Sequence, residues 1–344
     1  MSTTPSFSKL IVSLRDDFKK WLEGLGESEK RTFWSEIYLM ITPKIKTSDA
    51  KEWVKGLKEN TRFVLERSSI AYLIVAICNQ LVWAGFAWTI PYYLFQKFDL
   101  LKRLKTSSGS EVYEIDKTLL EKLNDENEIM QALYDWRRIW QEKLQRTPSS
   151  RKGKWGIYVK VIPRHLREAS EKLINEYGGN GDKIIYQSSQ SAGGCLKQQN
   201  KALVINLKKL YSNLKRIPGI GEKKAAMLVR DAKIAIAKGF YIPWISGFKK
   251  RNKIESLKVI GREPIPIDVH IKEFIGSIFQ QFTREDAKAF ILVTDPENPG
   301  LVDLFIWSLR RKYCEPKRCS ECILSDETKR MLNEIYCKKV TKSN

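Results

Sequence analysis

Acidic side chains are in short supply in this sequence. The chain of 344 residues contains 40 Asp and Glu against 61 Lys and Arg, which leaves a formal net charge of +21. A compact body with this charge repels itself unless a polyanion neutralises it. The composition therefore favours a nucleic-acid partner. Thermophilic proteins are also rich in Lys and Glu, but that explanation does not account for the excess of base over acid.

The sequence also lacks a secretory signal, and only one long stretch of it lacks charge. The first nine residues lead directly into an amphipathic segment at 10–25, so we expect an intracellular protein. Positions 68–96 carry no charged residue, but Gln80, Gly85 and Pro91 interrupt the apolar pattern. We therefore expect a buried core helix here and no membrane span.

Strand signals are scarce, and apolar residues recur at helical spacing along most of the chain, which predicts an all-α fold. A charged helical block at 105–155 looks inserted. A polar loop is expected at 187–194, and a basic loop is expected within 240–262.

Cysteine is rare outside one cluster. Two of the six cysteines stand alone, whereas the other four follow the spacing C-x4-C-x2-C-x14-C near the C-terminus. In a reducing compartment such a cluster indicates metal ligation rather than disulfides. The candidate ligands are Cys314, Cys319, Cys322 and Cys337.

Residues 217–225 (Ile-Pro-Gly-Ile-Gly-Glu-Lys-Lys-Ala) lie between two helical patterns and form a helix-hairpin-helix motif. The first helix is predicted from apolar residues that step by four and three from Leu203 to Ile217. Without a Cβ, Gly219 and Gly221 let backbone N–H groups approach a phosphate, which the next helix also attracts with its N-terminus. The motif therefore predicts contact with the DNA backbone, with Lys224 as a further contact.

The hairpin and a downstream stretch resemble the endonuclease III and 8-oxoguanine glycosylase superfamily. The catalytic lysine of its bifunctional members lies two residues after the second hairpin glycine, which is Lys223 here. Residues 266–271 (Pro-Ile-Asp-Val-His-Ile) match the family's apolar-Asp-x-His stretch and make Asp268 the counterpart of its catalytic aspartate. The resemblance implies a two-lobed glycosylase fold with DNA between the lobes. We therefore divide the chain into N-terminal helices at 1–64 that pack with the C-terminal lobe, a helical barrel at 65–260 that contains the insertion, and a C-terminal lobe at 261–344.

Both residue types suit the removal of a base. A carboxylate stabilises positive charge on the sugar, and an amine attacks C1′ to form a Schiff base that leads to strand cleavage. The amine of Lys223 needs a lowered pKa, which a helix N-terminus, Lys224 and a desolvated pocket would favour. The structural alternatives are an N-cap role for Asp268 and a solvated Lys223. We expect His165, which belongs to no motif, at the surface.

The cysteine spacing resembles the iron-sulfur loop of endonuclease III relatives, so the resemblance implies a structural 4Fe-4S cluster. Thiolates are soft ligands that suit such a cluster. Zinc is the alternative, because tetrahedral zinc sites also use C-x2-C. The first gap is shorter and the last much longer than in the common family pattern, so Cys337 departs most from it.

In the family, an early apolar helix ends in a polar residue that fills the gap left by the extruded nucleotide. Residues 77–80 (Ile-Cys-Asn-Gln) stand in that place, and we choose Gln80 for this role with Asn79 in reserve. Extrusion costs a few kcal/mol of stacking, which a wedge and a pocket must offset. The alternative is a polar helix end that faces water.

These observations lead us to expect a monomeric DNA base-excision repair glycosylase with lyase activity at abasic sites, acting on duplex DNA with an oxidised base. A glycosylase without lyase activity, or one for 8-oxoguanine, is a near alternative, because residues 266–270 resemble that branch while the cysteines resemble the other. A non-catalytic helix-hairpin-helix module that only binds DNA is the alternative from another class.

Overall fold

A computed structural model of the chain describes residues 7–37, 47–80, 82, 84–145, 154–191, 202–267, 269–278, 283–314 and 319–332. The described chain is mostly helical, which confirms the predicted fold class at that level. It divides into two compact units, the first from Met1–Arg31 with Glu263–Asn344 and the second from Thr32–Arg262.

The secondary-structure elements follow each other along the chain in a simple order. They are α1 (Phe7–Glu23), α2 (Glu27–Ile37), α3 (Ser48–Arg67), α4 (Ala71–Cys78), α5 (Ala84–Lys97), α6 (Leu101–Thr106), α7 (Ser110–Lys122), α8 (Glu126–Leu144), α9 (Lys154–Tyr177), α10 (Asp182–Gln187), β1 (Ser189–Ser191), β2 (Ala202–Asn206), α11 (Leu207–Lys215), α12 (Glu222–Lys238), α13 (Pro243–Arg251), β3 (Ser256–Ile260), α14 (Val269–Ile278), α15 (Arg284–Thr294), α16 (Pro299–Leu309), a π-helical turn (Arg310–Cys314), a 3₁₀ turn (Cys319–Glu321) and α17 (Asp326–Leu332).

The first unit brings the N-terminal helix together with C-terminal elements. Helix α1 packs against α15, α16 and α17, and the ring of Phe18 lies 5.6 Å from that of Phe305. The buried carboxylate of Asp17 accepts a hydrogen bond of 3.1 Å from the backbone N–H of Ser325. The unit takes in residues only up to Arg31, whereas we predicted a boundary at 64. Helix α3 belongs to the second unit because its apolar face meets α5 and α13.

Helix α4 lies in the core of the second unit. Every residue from Ala71 to Cys78 is buried, and the helix packs against α3, α5, α9 and α12. The buried core helix expected in the uncharged stretch is thus confirmed. Among the residues that the structure describes, no helix is long and apolar enough to cross a membrane.

The charged block at 105–155 contributes directly to this core. Its helices α7 and α8 pack against α9, and α8 also packs against α5. The ring of Trp136 stacks on that of Tyr93 at 4.7 Å. In α7, buried Asp116 accepts hydrogen bonds of 2.7 Å from both the backbone N–H and the hydroxyl of Ser69. Apolar and polar contacts therefore tie this block to the helices that flank α4.

A small sheet corrects two sequence-based expectations. Strand β2 pairs with β1 in antiparallel and with β3 in parallel orientation. Residues 189–191, expected in a loop, form β1, and residues 192–201 lie outside the described chain. Leu203, expected to begin a helix, lies in β2, where buried positions alternate with half-buried ones. Helix α11 begins only at Leu207, since the side chain of Asn206 caps it by accepting from the N–H of Lys209.

The basic loop expected within 240–262 is also wrong, because most of this segment is helix α13 and strand β3. Arg251 ends α13 and forms an ion pair of 2.6 Å with Asp182, with both side chains almost fully buried. Asp182 also accepts a hydrogen bond from Asn252. An arginine held in this way joins α13 to α10 and is not available to a nucleic acid.

Candidate nucleic-acid interface at the hairpin

The predicted hairpin is present as helices α11 and α12 and the turn between them. Ile217 and Ile220 of the turn are buried, and the N–H of Ile220 donates to the carbonyl of Ile217 at 3.0 Å. Gly221 is the N-cap of α12. Two apolar anchors and a local hydrogen bond therefore fix the turn without help from a ligand.

The two hairpin glycines face different surroundings. Gly219 has φ +79, and a Cβ there would lie 3.0 Å from atoms of both His165 and Ile77. Gly221 is exposed, and a Cβ there would meet nothing within 4 Å. Gly219 is therefore required by its backbone conformation and packing, whereas Gly221 marks the open face where an anion can approach the first turn of α12.

The lysine pair after the glycines is divided between solvent and interior. Lys223 is exposed, whereas Lys224 is half-buried. The ammonium of Lys224 donates to the carbonyl of Ile77 at 2.9 Å and to that of Gly219 at 2.8 Å. Burial lowers the pKa of Lys224 to about 8, with opposition from Cys78 and a smaller contribution from Lys223. A direct phosphate contact by Lys224, as predicted, would require its ammonium to leave both carbonyls.

A small cavity beside Lys224 bears on which lysine can act as a nucleophile. It is lined in part by Tyr72, Asn79 and Asp231 and has a volume of about 20 Å³. That space holds roughly one water molecule, and a deoxyribose does not fit. The lowered pKa alone would favour Lys224, but the two hydrogen bonds and the lack of space outweigh it. Lys223 is exposed and has no such restriction.

The residues proposed for extrusion follow directly after helix α4. Asn79 is the C-cap of α4 and lines the small cavity. Gln80 is half-buried, and its buried side-chain nitrogen makes no hydrogen bond within the described chain. This polar helix end is therefore exposed to water only in part, and its role in extrusion stays a prediction. The structure brings this segment and the hairpin together through Lys224 and Ile77.

His165 of α9 is not the surface residue that we expected. Its side chain lies against Gly219, as the Cβ distance shows. Its Nδ1 atom is buried and makes no hydrogen bond to any described residue. Burial, Lys224 and Arg164 together lower the pKa of His165. No sequence motif marks this histidine, because its position depends on how α9 packs beneath the hairpin.

Helix α9 also presents cations beside the hairpin. Lys160 and Arg164 are exposed and lie one helical turn apart, and Arg164 precedes the histidine that contacts Gly219. Neither forms an ion pair with a described residue. In contrast, Arg167 pairs with Glu126 at 2.8 Å and with an acidic residue of its own helix. Lys160 and Arg164 therefore add unneutralised positive charge on the helix whose His165 contacts Gly219.

The predicted catalytic aspartate and one cysteine lie outside the described residues. Asp268 directly precedes α14, which begins at Val269, and Cys337 follows α17. Cys314 ends the π-helical turn and Cys322 follows the 3₁₀ turn, and both are half-buried. The side chain of Cys319 is not among those described.

The described cysteines fit a metal site in donor type and in part in position. The π-helical and 3₁₀ turns contact each other, which places two thiol-bearing segments together. Within the described residues, no group of three or more His, Cys, Asp or Glu side chains could hold a metal ion. The full ligand set of Cys314, Cys319, Cys322 and Cys337 stays a prediction.

No family model, no curated protein and no solved structure matches this chain in three separate comparisons. The family resemblance stays a prediction that rests on the hairpin, on the stretch around Asp268 and on the cysteine spacing.

Proposed function

We propose that this chain is a DNA glycosylase with lyase activity that removes a damaged base from duplex DNA. The observation that carries the proposal is the open face of the hairpin. There, exposed Gly221 and the first turn of α12 offer backbone N–H groups next to the exposed amine of Lys223. A phosphate bound by this helix N-terminus would hold the DNA backbone beside that amine.

The cations of α9 support a polyanionic partner. Substituting Lys160 and Arg164 with Ala should weaken binding of damaged and undamaged duplex alike and reduce the salt dependence by about 0.9 in log–log slope per lost phosphate contact. Arg167→Ala is the matched control, because its charge is already neutralised within the protein. Titrations at several salt concentrations provide the measurement, and equal slopes for all variants would contradict this surface.

The reaction we propose uses two side chains of this chain. The amine of Lys223 forms a bond to C1′ as the glycosidic bond breaks, and the base leaves with the bonding electrons and takes up a proton. The carboxylate of Asp268 would stabilise the positive charge that develops on the sugar. The attached amine then loses a proton, the C1′–O4′ bond breaks, O4′ takes up a proton, and the nitrogen lone pair completes the C=N bond of the Schiff base. The Schiff base acidifies C2′, and loss of that proton breaks the bond between C3′ and its oxygen, which nicks the strand.

The four clustered cysteines would hold a 4Fe-4S cluster, or a zinc ion in the alternative case. When bound, the group would supply a structural crosslink between the π-helical turn that ends at Cys314 and the segment at Cys322 that follows the 3₁₀ turn. The proposed reaction does not pass through it.

Borohydride trapping tests the proposed function. The purified chain is incubated with duplexes that contain an oxidised pyrimidine, 8-oxoguanine, uracil, mismatched thymine or an abasic site, and the Schiff base is then reduced. We expect a covalent adduct with one of the oxidised bases and with the abasic duplex. Base release without an adduct would indicate a glycosylase that lacks lyase activity.

A non-catalytic DNA-binding module is the second candidate. The exposure of Lys223 supports this module as much as it supports the glycosylase. An exposed lysine at a helix N-terminus also suits a simple phosphate contact. In that case the same duplexes would be bound, but neither an adduct nor a free base would form.

A further inference from the structure

The end of helix α4 is held by side chains from two other helices. Lys224 of α12 donates to the carbonyl of Ile77, and the hydroxyl of Tyr158 of α9 donates to the carbonyl of Cys78 at 3.2 Å. Both carbonyls belong to the last turn of α4, where a helix leaves its carbonyls without internal partners. The backbone just before Asn79 and Gln80 is therefore fixed from two sides.

Lys224 is the group that also reaches the hairpin. The same ammonium donates to Gly219 at 2.8 Å, so one side chain joins the hairpin turn to the end of α4. Its two acceptors are backbone carbonyls, which cannot change rotamer. His165 and Ile77 close the space around Gly219, so the turn has little freedom to move relative to α4.

We propose that Lys224 is a positioning residue that holds the Asn79–Gln80 segment at a fixed place relative to the hairpin. This role rests on the proposed function, in which the hairpin binds the DNA backbone and that segment fills the space of the extruded nucleotide. A wedge displaces a stacked base only if it is rigid with respect to the point where the backbone is held. Without the hydrogen bonds of Lys224, the Asn79–Gln80 segment would move away from the stacked base while the phosphate contacts remain.

The hydrogen bonds of Lys224 therefore affect the extrusion of the nucleotide rather than the affinity for DNA or the chemical step. Lys224→Met removes the ammonium and keeps the length of the side chain. We expect extrusion of a paired target to fall about tenfold or more, because small misplacements of a positioned group have effects of this size. Affinity for the duplex should change less than about threefold, since one buried charge among many is lost.

Fluorescence of 2-aminopurine placed next to the target base measures extrusion, and anisotropy measures affinity in the same samples. Each variant is tested on a fully paired duplex and on one whose target faces a gap, so that no base pair has to be broken. Lys238→Met, which removes the same charge near the C-terminal end of α12, is the control and should behave like wild type. Thermal unfolding checks each variant, and Lys224→Gln, which keeps an amide donor, serves if Lys224→Met does not fold.

A loss on the paired duplex that is restored on the gapped duplex is the expected result. Equal losses on both duplexes, or no loss on either, would overturn the role of Lys224 while leaving the proposed function intact. If the wild type binds duplexes but produces no 2-aminopurine signal on any of them, the proposed function is itself wrong, and the positioning role falls with it.

Discussion

The hairpin of the second unit and the cysteine segment of the first hold their polar groups by different means. Around the hairpin, two helices of 9 and 17 residues, buried isoleucines and the hydrogen bonds of Lys224 define the geometry. Between Arg310 and Leu332, the described elements are short, and Leu324 is the only buried apolar side chain among the described residues. The hairpin should therefore keep its shape without a bound group, whereas the cysteine segment should depend on one.

The largest expected effect concerns the chemistry at the hairpin. Lys223→Gln should abolish the trapped adduct and strand nicking while DNA affinity stays near wild type, because the amine makes the covalent bond and is one charge of many. Asp268→Asn should lower base release by orders of magnitude, because it deletes the carboxylate charge. Lys238→Gln is the matched control. Lys224→Gln is unsuitable for this purpose, because the half-buried Lys224 donates to two backbone carbonyls. Wild-type trapping by both Lys223→Gln and Asp268→Asn would mean that other residues carry the chemistry, whereas a wild-type chain that forms neither an adduct nor a free base would leave only DNA binding.

Loss of the metal should change the cysteine segment and leave the hairpin unchanged. The purified protein should be brown, and Cys322→Ser should remove iron and sulfide and open the C-terminal segment to proteolysis. Cys78→Ala should retain the metal, because Cys78 lies in the core of α4. Metal analysis and limited proteolysis provide the measurements. A colourless protein that contains one zinc per chain would contradict the iron-sulfur cluster and support zinc, the alternative metal.

Substitutions at the two hairpin glycines should affect different properties, stability at Gly219 and DNA binding at Gly221. Gly219→Ala should lower the free energy of unfolding by about 1–3 kcal/mol, because a side chain at positive φ is strained and also crowded here. Gly221→Val should change stability by no more than about 1 kcal/mol but weaken binding of damaged and undamaged duplex several-fold. Urea unfolding and DNA titration separate the two. If Gly221→Val binds DNA normally, the open face of the hairpin is not the phosphate site.

A pH series tests the burial of Lys224, with a smaller effect. The folded chain releases this proton near pH 8, whereas an unperturbed lysine does so at 10.5. Between these values the unfolded state binds more protons, so the contribution of Lys224 to the free energy of unfolding rises with pH. We expect the wild type to gain about 2 kcal/mol relative to Lys224→Met over this pH range, after discounting for the solvent-accessible part of the amine. Parallel pH profiles would mean that the amine is solvated.

The sequence by itself determined the features that depend on a few neighbouring residues. The uncharged, apolar run of residues predicted the buried helix α4, and the spacing of Pro218, Gly219 and Gly221 predicted the hairpin. Both predictions succeeded because helix formation and glycine conformation are set locally. Strand β2 escaped notice because Leu203 matches a helical step as well as the alternation of a short strand, and only pairing with β1 and β3 decides between them.

Only the tertiary structure decided how the two lysines of the hairpin differ. Lys223 and Lys224 are equivalent in composition and in charge, and the sequence assigned phosphate contact to the second. Its ammonium instead meets the carbonyl of Ile77, which is 147 positions away along the chain. His165 likewise became a neighbour of Gly219 through the packing of α9. Whether a charge is buried, and which groups compensate it, depends on segments that are far apart in the sequence and pack together in the fold. A local sequence pattern therefore does not predict it.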